Sequence, residues 1–182
     1  VLSEQLGISR APIREALQVL VQEGLITSEP QKGKHVRQMT GKEIYDSYVV
    51  AGILEGAGVA ESLPLWTEAN METFRSVVRQ MEGKISYATK LDELAEIDEL
   101  FHATLFMACD NTRLVEMART SCATISKYLY YQHWITMFTP REYADRHHAV
   151  AEAVYSRDVK HVETALRDHY KETGLRMAQF GK

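Results

Sequence analysis

The chain has 182 residues, a formal net charge of −4, 45% hydrophobic and 25% charged residues, the balance of a globular protein with room for one or two cores. No uninterrupted apolar run nears the ~18 residues that a membrane span needs, and no secretory leader is visible, so a cytoplasmic protein without a membrane partner is expected. The charge argues against a general nucleic-acid binder, although five Lys/Arg against four acids leave residues 1–41 at +1 and the remainder at −5.

The opening residues, Leu2-Ser3-Glu4-Gln5-Leu6, read as a short helix entered midway. The chain is therefore expected to be missing its N-terminus. Gly7 supplies a tight turn, Ser9 a natural N-cap, and Pro12 falls in the first turn of a second helix, where a lost N–H costs little. Arg10 and Arg14 stand four apart and share a face. Two guanidinium groups at the tip of the second helix of a helix-turn-helix can reach base edges or phosphates in a major groove. Leu25-Ile26-Thr27 and His35-Val36-Arg37 flank Pro30 and Lys32-Gly33-Lys34, which predicts a two-stranded wing.

Thr40 with Glu43 three residues on is a capping-box pattern and places a domain boundary at residues 40–41. Beyond it the pattern predicts about six helices. The first spans 42–62, where Pro64 closes it. Thr67 opens the second, which runs to about Met81 and is broken by Gly83. A third covers Thr89 or Lys90 to Cys109. Asn111 or Thr112 caps a fourth that reaches about Trp134. Thr139-Pro140 starts a fifth, to Ser156, and Asp158 a sixth, to about Met177. The fold class is mainly α, with a winged helix-turn-helix over 1–40 and a helical bundle over 41–182. Cys109 and Cys122 have no motif spacing and read as reduced, buried thiols.

Asp98 and His102, four apart on the third helix, project from one face. Histidines on the last two helices could meet them inside a bundle. Seven histidines allow accidental groupings, and on residues alone His147, His148, His161 and His169 all stay open. Three imidazoles and a carboxylate would suit Zn or Ni and leave coordination positions free.

The N-terminal segment resembles the winged helix-turn-helix of GntR-family bacterial transcription regulators. The residues that carry the likeness are Leu6-Gly7-Ile8-Ser9-Arg10, Pro12, Arg14-Glu15-Ala16-Leu17, Leu20, Glu23-Gly24-Leu25 and Gln31-Lys32-Gly33-Lys34-His35-Val36. The helical part resembles the FCD effector domain of the FadR-type branch. It does so through Leu54-Glu55, Asp98, Phe101-His102, Leu105, Asn111, Leu114, His147, Val150, Ala153-Val154, Asp158, Ala165 and His169. The resemblance implies a DNA-binding regulator, most readily a repressor, and not an enzyme. Ser9, Arg10, Arg14, Lys32, Gly33 and Lys34 would meet a palindromic operator. It implies a divalent metal on Asp98, His102, His147 and His169, with His147 preferred to His148 because it stands six before Ala153 and eleven before Asp158. A small-molecule effector, such as an organic acid, would bind at that metal. A homodimer is expected, since one helix-turn-helix makes few contacts and two-fold pairing doubles them.

Two positions depart from the family pattern. Ala51 stands where many members carry an arginine, and Lys127–Trp134 is aromatic where relatives are often arginine-rich. The metal is thereby expected to carry more of the anion recognition, and the aromatic segment to serve as core or dimer interface. The rival readings are the same regulator with a purely structural metal, and a metal-dependent hydrolase. Against the latter, no nucleophile motif or general base lies outside the ligand set.

Overall fold

In the computed structural model, which describes residues 2–182, helix α1 (Leu2–Leu6) turns into α2 (Arg10–Gln22) through Gly7 at φ +64°. Val1, where the sequence reading enters a helix midway, lies outside the described residues. Ser9 holds the extended N-cap conformation of α2, but its hydroxyl makes no capping hydrogen bond. The wing pairs β1 (Ile26–Glu29) antiparallel with β2 (Gly33–Val36), in register Ile26↔Val36 to Glu29↔Gly33. Gly33, at φ +88°, closes the hairpin in a conformation that a side chain would strain. No residue of α1 or α2 is buried, and Leu6, Ile8 and Val19 are exposed.

Helix α3 (Gly41–Ser62) begins at the expected capping box: the Glu43 N–H donates to Thr40 Oγ1, and the Thr40 N–H donates to Glu43 Oε2. Over Gly41–Leu65 this stretch has the length and hydropathy of a membrane span, a likeness the sequence reading did not register. Here it is the central helix of a bundle, packed on α6 (Thr112–Thr124) and α9 (Val159–Met177). Close approach to α9 depends on small residues. A Cβ on Gly52 would stand 2.8 Å from Tyr170 Cβ, and one on Gly174 would stand 2.8 Å from Tyr48 Cβ.

Helix α4 (Glu68–Ile85) runs past Gly83, where the sequence predicts a break. A solvent-facing glycine costs a helix only about 1 kcal/mol, and the packing of Phe74, Val77 and Met81 outweighs that. The expected third helix is shorter than predicted: a 3₁₀ turn over Leu91–Leu94 leads into α5 (Ala95–Leu105). The expected helix from Asn111 to Trp134 is divided. α6 ends at Thr124, a π turn spans Ile125–Leu129, and α7 (Tyr131–Trp134) is a single turn. The π turn puts Ile125 and Tyr130 in the core and leaves Tyr128 outside. Helices α8 (Pro140–Ser156) and α9 start where Thr139 and Asp158 predict, each capped by that side chain.

The larger core joins Phe74, Phe101, Leu105, Val154 and Leu166. A smaller one, with Met39, Ile44, Tyr48, Ile125, Tyr130 and Met177, lies beneath the start of α3. There Tyr130 Oη accepts from the Met39 N–H (3.0 Å) and donates to the Met39 carbonyl (3.2 Å), which fixes the stretch that joins wing and bundle.

Candidate metal centre and nucleic-acid interface

Arg10 and Arg14 are exposed at the N-terminal end of α2, and neither has an ion pair among the described residues. Ser9 is exposed beside them. In the wing, Lys32 pairs with Glu29 at 2.9 Å, while Lys34 Nζ reaches Gln18 Oε1 of α2 at 3.5 Å, which ties the wing to that helix. The helix tip thus presents two exposed arginines without an ion pair among the described residues.

Inside the bundle, α5 supplies Asp98 and His102, α8 supplies His147, and α9 supplies His169. One nitrogen from each of the three histidines lies within 4.8 Å of the others. Asp98 joins them, with Oδ1 3.1 Å from His147 Nε2. His148, its sequence neighbour, turns the other way and meets Glu82 of α4 at 3.1 Å. His161 is exposed on the first turn of α9.

Each ring is oriented by its surroundings. His147 Nδ1 lies 2.7 Å from the Tyr143 carbonyl, which can only accept, so Nδ1 carries the proton. Burial lowers the His147 pKa, and the Asp98 carboxylate opposes that. Nε2 then faces Asp98 Oδ1 at 3.1 Å, the position at which a proton or a cation can be shared between them. His169 Nδ1 is buried with no hydrogen-bond partner among the described residues. Burial and the Arg146 charge hold its pKa well below the usual value.

His102 Nδ1 lies 2.6 Å from Glu55 Oε1. Burial alone would lower the His102 pKa, but the Glu55 carboxylate outweighs it and lifts the value to about 9. A divalent ion would take the place of that proton. Asp98 stays ionised: burial raises its pKa, and the neighbouring His147 and His102 more than reverse this. Three imidazoles and a carboxylate, with the orphaned His169 Nδ1 among them, fit a divalent metal ion.

The cluster forms one wall of a cavity of about 250 Å³. Leu91, Phe106, Tyr131, Trp134 and Phe138 line its apolar side, so the aromatic segment expected as core or interface also shapes a pocket. Arg146, missed in the sequence, also lines it. Its Nε donates to Glu172 Oε2 (2.9 Å), its Nη2 donates to Thr173 Oγ1 (2.6 Å) and to the His169 carbonyl, and its guanidinium lies 4.0 Å over Phe138. Burial lowers the Arg146 pKa from the usual arginine value, and the Glu172 carboxylate opposes that. Nothing in the residue spacing marks Arg146. Glu55 did leave a signal: it is the sole charged residue between Asp46 and Glu61 on an otherwise apolar helix. Cys109 and Cys122 are unpaired and half-buried; Cys122 lines the cavity, and burial pushes its thiol up to about 12.

Comparison with known proteins matches residues 1–36 to the bacterial regulatory proteins of the gntR family and residues 46–172 to the FCD domain. The chain is 28% identical over 148 residues to the Nta operon transcriptional regulator of Aminobacter aminovorans, covering 80% of this chain and 67% of that protein. It is 26% identical over 174 residues to the HTH-type transcriptional repressor RspR of Escherichia coli K12, covering 94% and 74%. Among solved structures, E. coli McbR/YncC superposes with a TM-score of 0.73 at 19% identity, over 98% of this chain and 84% of that one. That level of identity shows a shared fold. The family model covers more than two-thirds of the chain, and the relatives are transcription regulators rather than enzymes. The chain therefore belongs to the GntR family of bacterial transcription regulators, in the group that carries an FCD domain.

Proposed function

We propose that this regulator is a metal-dependent sensor of a small organic acid that represses transcription by binding a palindromic operator as a homodimer. Residues 1–40 read the DNA and residues 41–182 sense and dimerise. Arg10 and Arg14 enter the major groove, while Ser9 and the wing residues Lys32, Gly33 and Lys34 meet the phosphate backbone and minor groove. Named repressors among the relatives, RspR and the gluconate operon repressor of Bacillus subtilis, support that sign of regulation. A DNA partner places the protein's work in the cytoplasm.

The observation that carries the sensing half is the Asp98–His102–His147–His169 cluster in the wall of a roomy cavity. A purely structural ion needs no such space. Those four residues would hold Zn or Ni, and the ion, when bound, would supply a positive centre for an anionic guest. The chain's own residues do the rest. Arg146 offers Nη1, which none of its recorded hydrogen bonds uses, to the guest's carboxylate. Phe106, Trp134 and Phe138 exclude water from its apolar body. A guest that favours one arrangement of the winged segments shifts the DNA-competent population, and about 1.4 kcal/mol of differential binding changes operator affinity tenfold.

Thermal melting with a panel of small carboxylates, with zinc and after chelation, tests this reading. At a hundredfold excess over its Kd, a guest stabilises the fold by about 2.7 kcal/mol. The expected result is one or more carboxylates that raise the melting temperature only with zinc present. Zinc that stabilises the protein while no carboxylate adds to it would favour the structural ion instead.

A further inference from the structure

Glu55 stands deep in α3, 3% exposed. A buried carboxylate is costly, and an apolar residue of similar volume would serve packing at lower cost. Both of its oxygens are committed. Oε1 lies 2.6 Å from His102 Nδ1, and Oε2 accepts from Tyr170 Oη at 2.7 Å. The tight seam of α3 and α9 at Gly52 and Gly56 brings Tyr170 within reach. With Nδ1–H held by Glu55, Nε2, the nitrogen remote from Glu55, is the one left to a metal once an ion displaces its proton. A carboxylate behind a ligating histidine fixes its tautomer and ring angle and raises its basicity.

We propose that Glu55 is a positioning residue of the metal centre, holding His102 by its Nδ1–H so that the opposite nitrogen meets the ion, and thereby fastening the ion to α3. The inference rests on the metal reading above. It adds a consequence for signalling. α3 starts at the residue after Thr40, and Glu55 lies about four turns into it. The helix that leaves the wing would thus be gripped from within by the loaded centre, in addition to the Tyr130 clamp on Met39.

Titration of the metal-stripped protein with Co²⁺, read by its visible absorption bands, tests the proposal, since the bands report ligand geometry as well as occupancy. Glu55→Gln keeps an acceptor for Nδ1–H and loses the charge, so about tenfold weaker binding with near-normal bands is expected; Glu55→Ala loses both, and binding should weaken by up to about a hundredfold with shifted bands. Tyr170→Phe, which frees Oε2, should give the smallest loss. Circular dichroism of the metal-free variants reports whether each is folded. Should Glu55→Ala fail to fold, Glu55→Gln and Tyr170→Phe decide the matter in the same way. Folded variants that bind Co²⁺ like the wild type, with unchanged bands, would overturn the role of Glu55 alone. A wild-type protein that takes up no Co²⁺ would overturn the metal reading and this inference with it.

Discussion

Single residues carry two separate chemistries in this chain. Arg10 and Arg14 have no acidic partner among the described residues and stand at a helix tip, so their charge is available to DNA. Arg14→Ala should weaken operator binding by about 1–3 kcal/mol while circular dichroism stays unchanged; equal affinity in a gel-shift titration would remove Arg14 from the interface. At the buried site the decisive feature is the gathering of three imidazoles around the Asp98 carboxylate, with His147 Nε2 3.1 Å from Oδ1 and His169 Nδ1 left without a hydrogen-bond partner among the described residues. Asp98 and His102 were legible as a pair because helical spacing alone puts them on one face. His147 could be told from His148 in the sequence only through the family pattern, and the bundle then turns the two side chains in opposite directions. Arg146 was invisible because its role arises from α9 and Phe138, which no local pattern connects to it. Glu55 was legible in principle, as a charge that an apolar helix must bury against a partner.

Among the elements, helix starts were read most reliably. Thr40, Thr67, Thr139 and Asp158 each cap a helix, because the capping bond is local and needs only the right side chain next to the first turn. Helix ends and interruptions depend on what packs against them, so the run through Gly83 and the π turn at Ile125–Leu129 were missed. Ser9 shows the limit of a cap read from sequence alone: the backbone takes the cap conformation while the hydroxyl makes no capping bond. The α3–α9 seam was likewise hidden, since glycines in a sequence do not say which helix they admit. Gly52→Ala places a Cβ 2.8 Å from Tyr170 Cβ. Overpacking of this kind costs about 1–3 kcal/mol, and the shift should fall on Tyr170 and loosen its bond to Glu55. Denaturant unfolding should show the lower stability, and an unchanged midpoint would mean that the seam gives way without strain.

Across the whole molecule, the distribution of charge matters more than its sum. The acidic bundle is tied to the basic tip through Met39, where Tyr130 and the Lys182 N–H converge on one backbone unit. Tyr130 directly precedes Tyr131, which lines the cavity, so pocket and linker share a short segment. The start of the long first bundle helix was legible because Thr40 and Glu43 form a capping box that the fold does make. The cavity was not, since an unfilled volume leaves no mark in sequence. The sensing proposal requires an ion in the wall of this cavity. Elemental analysis of zinc-loaded, dialysed protein tests it most directly. One ion per chain is expected in the wild type and in His148→Ala, and little or none in His147→Ala. A wild type without metal, or the same retention in both variants, would contradict it.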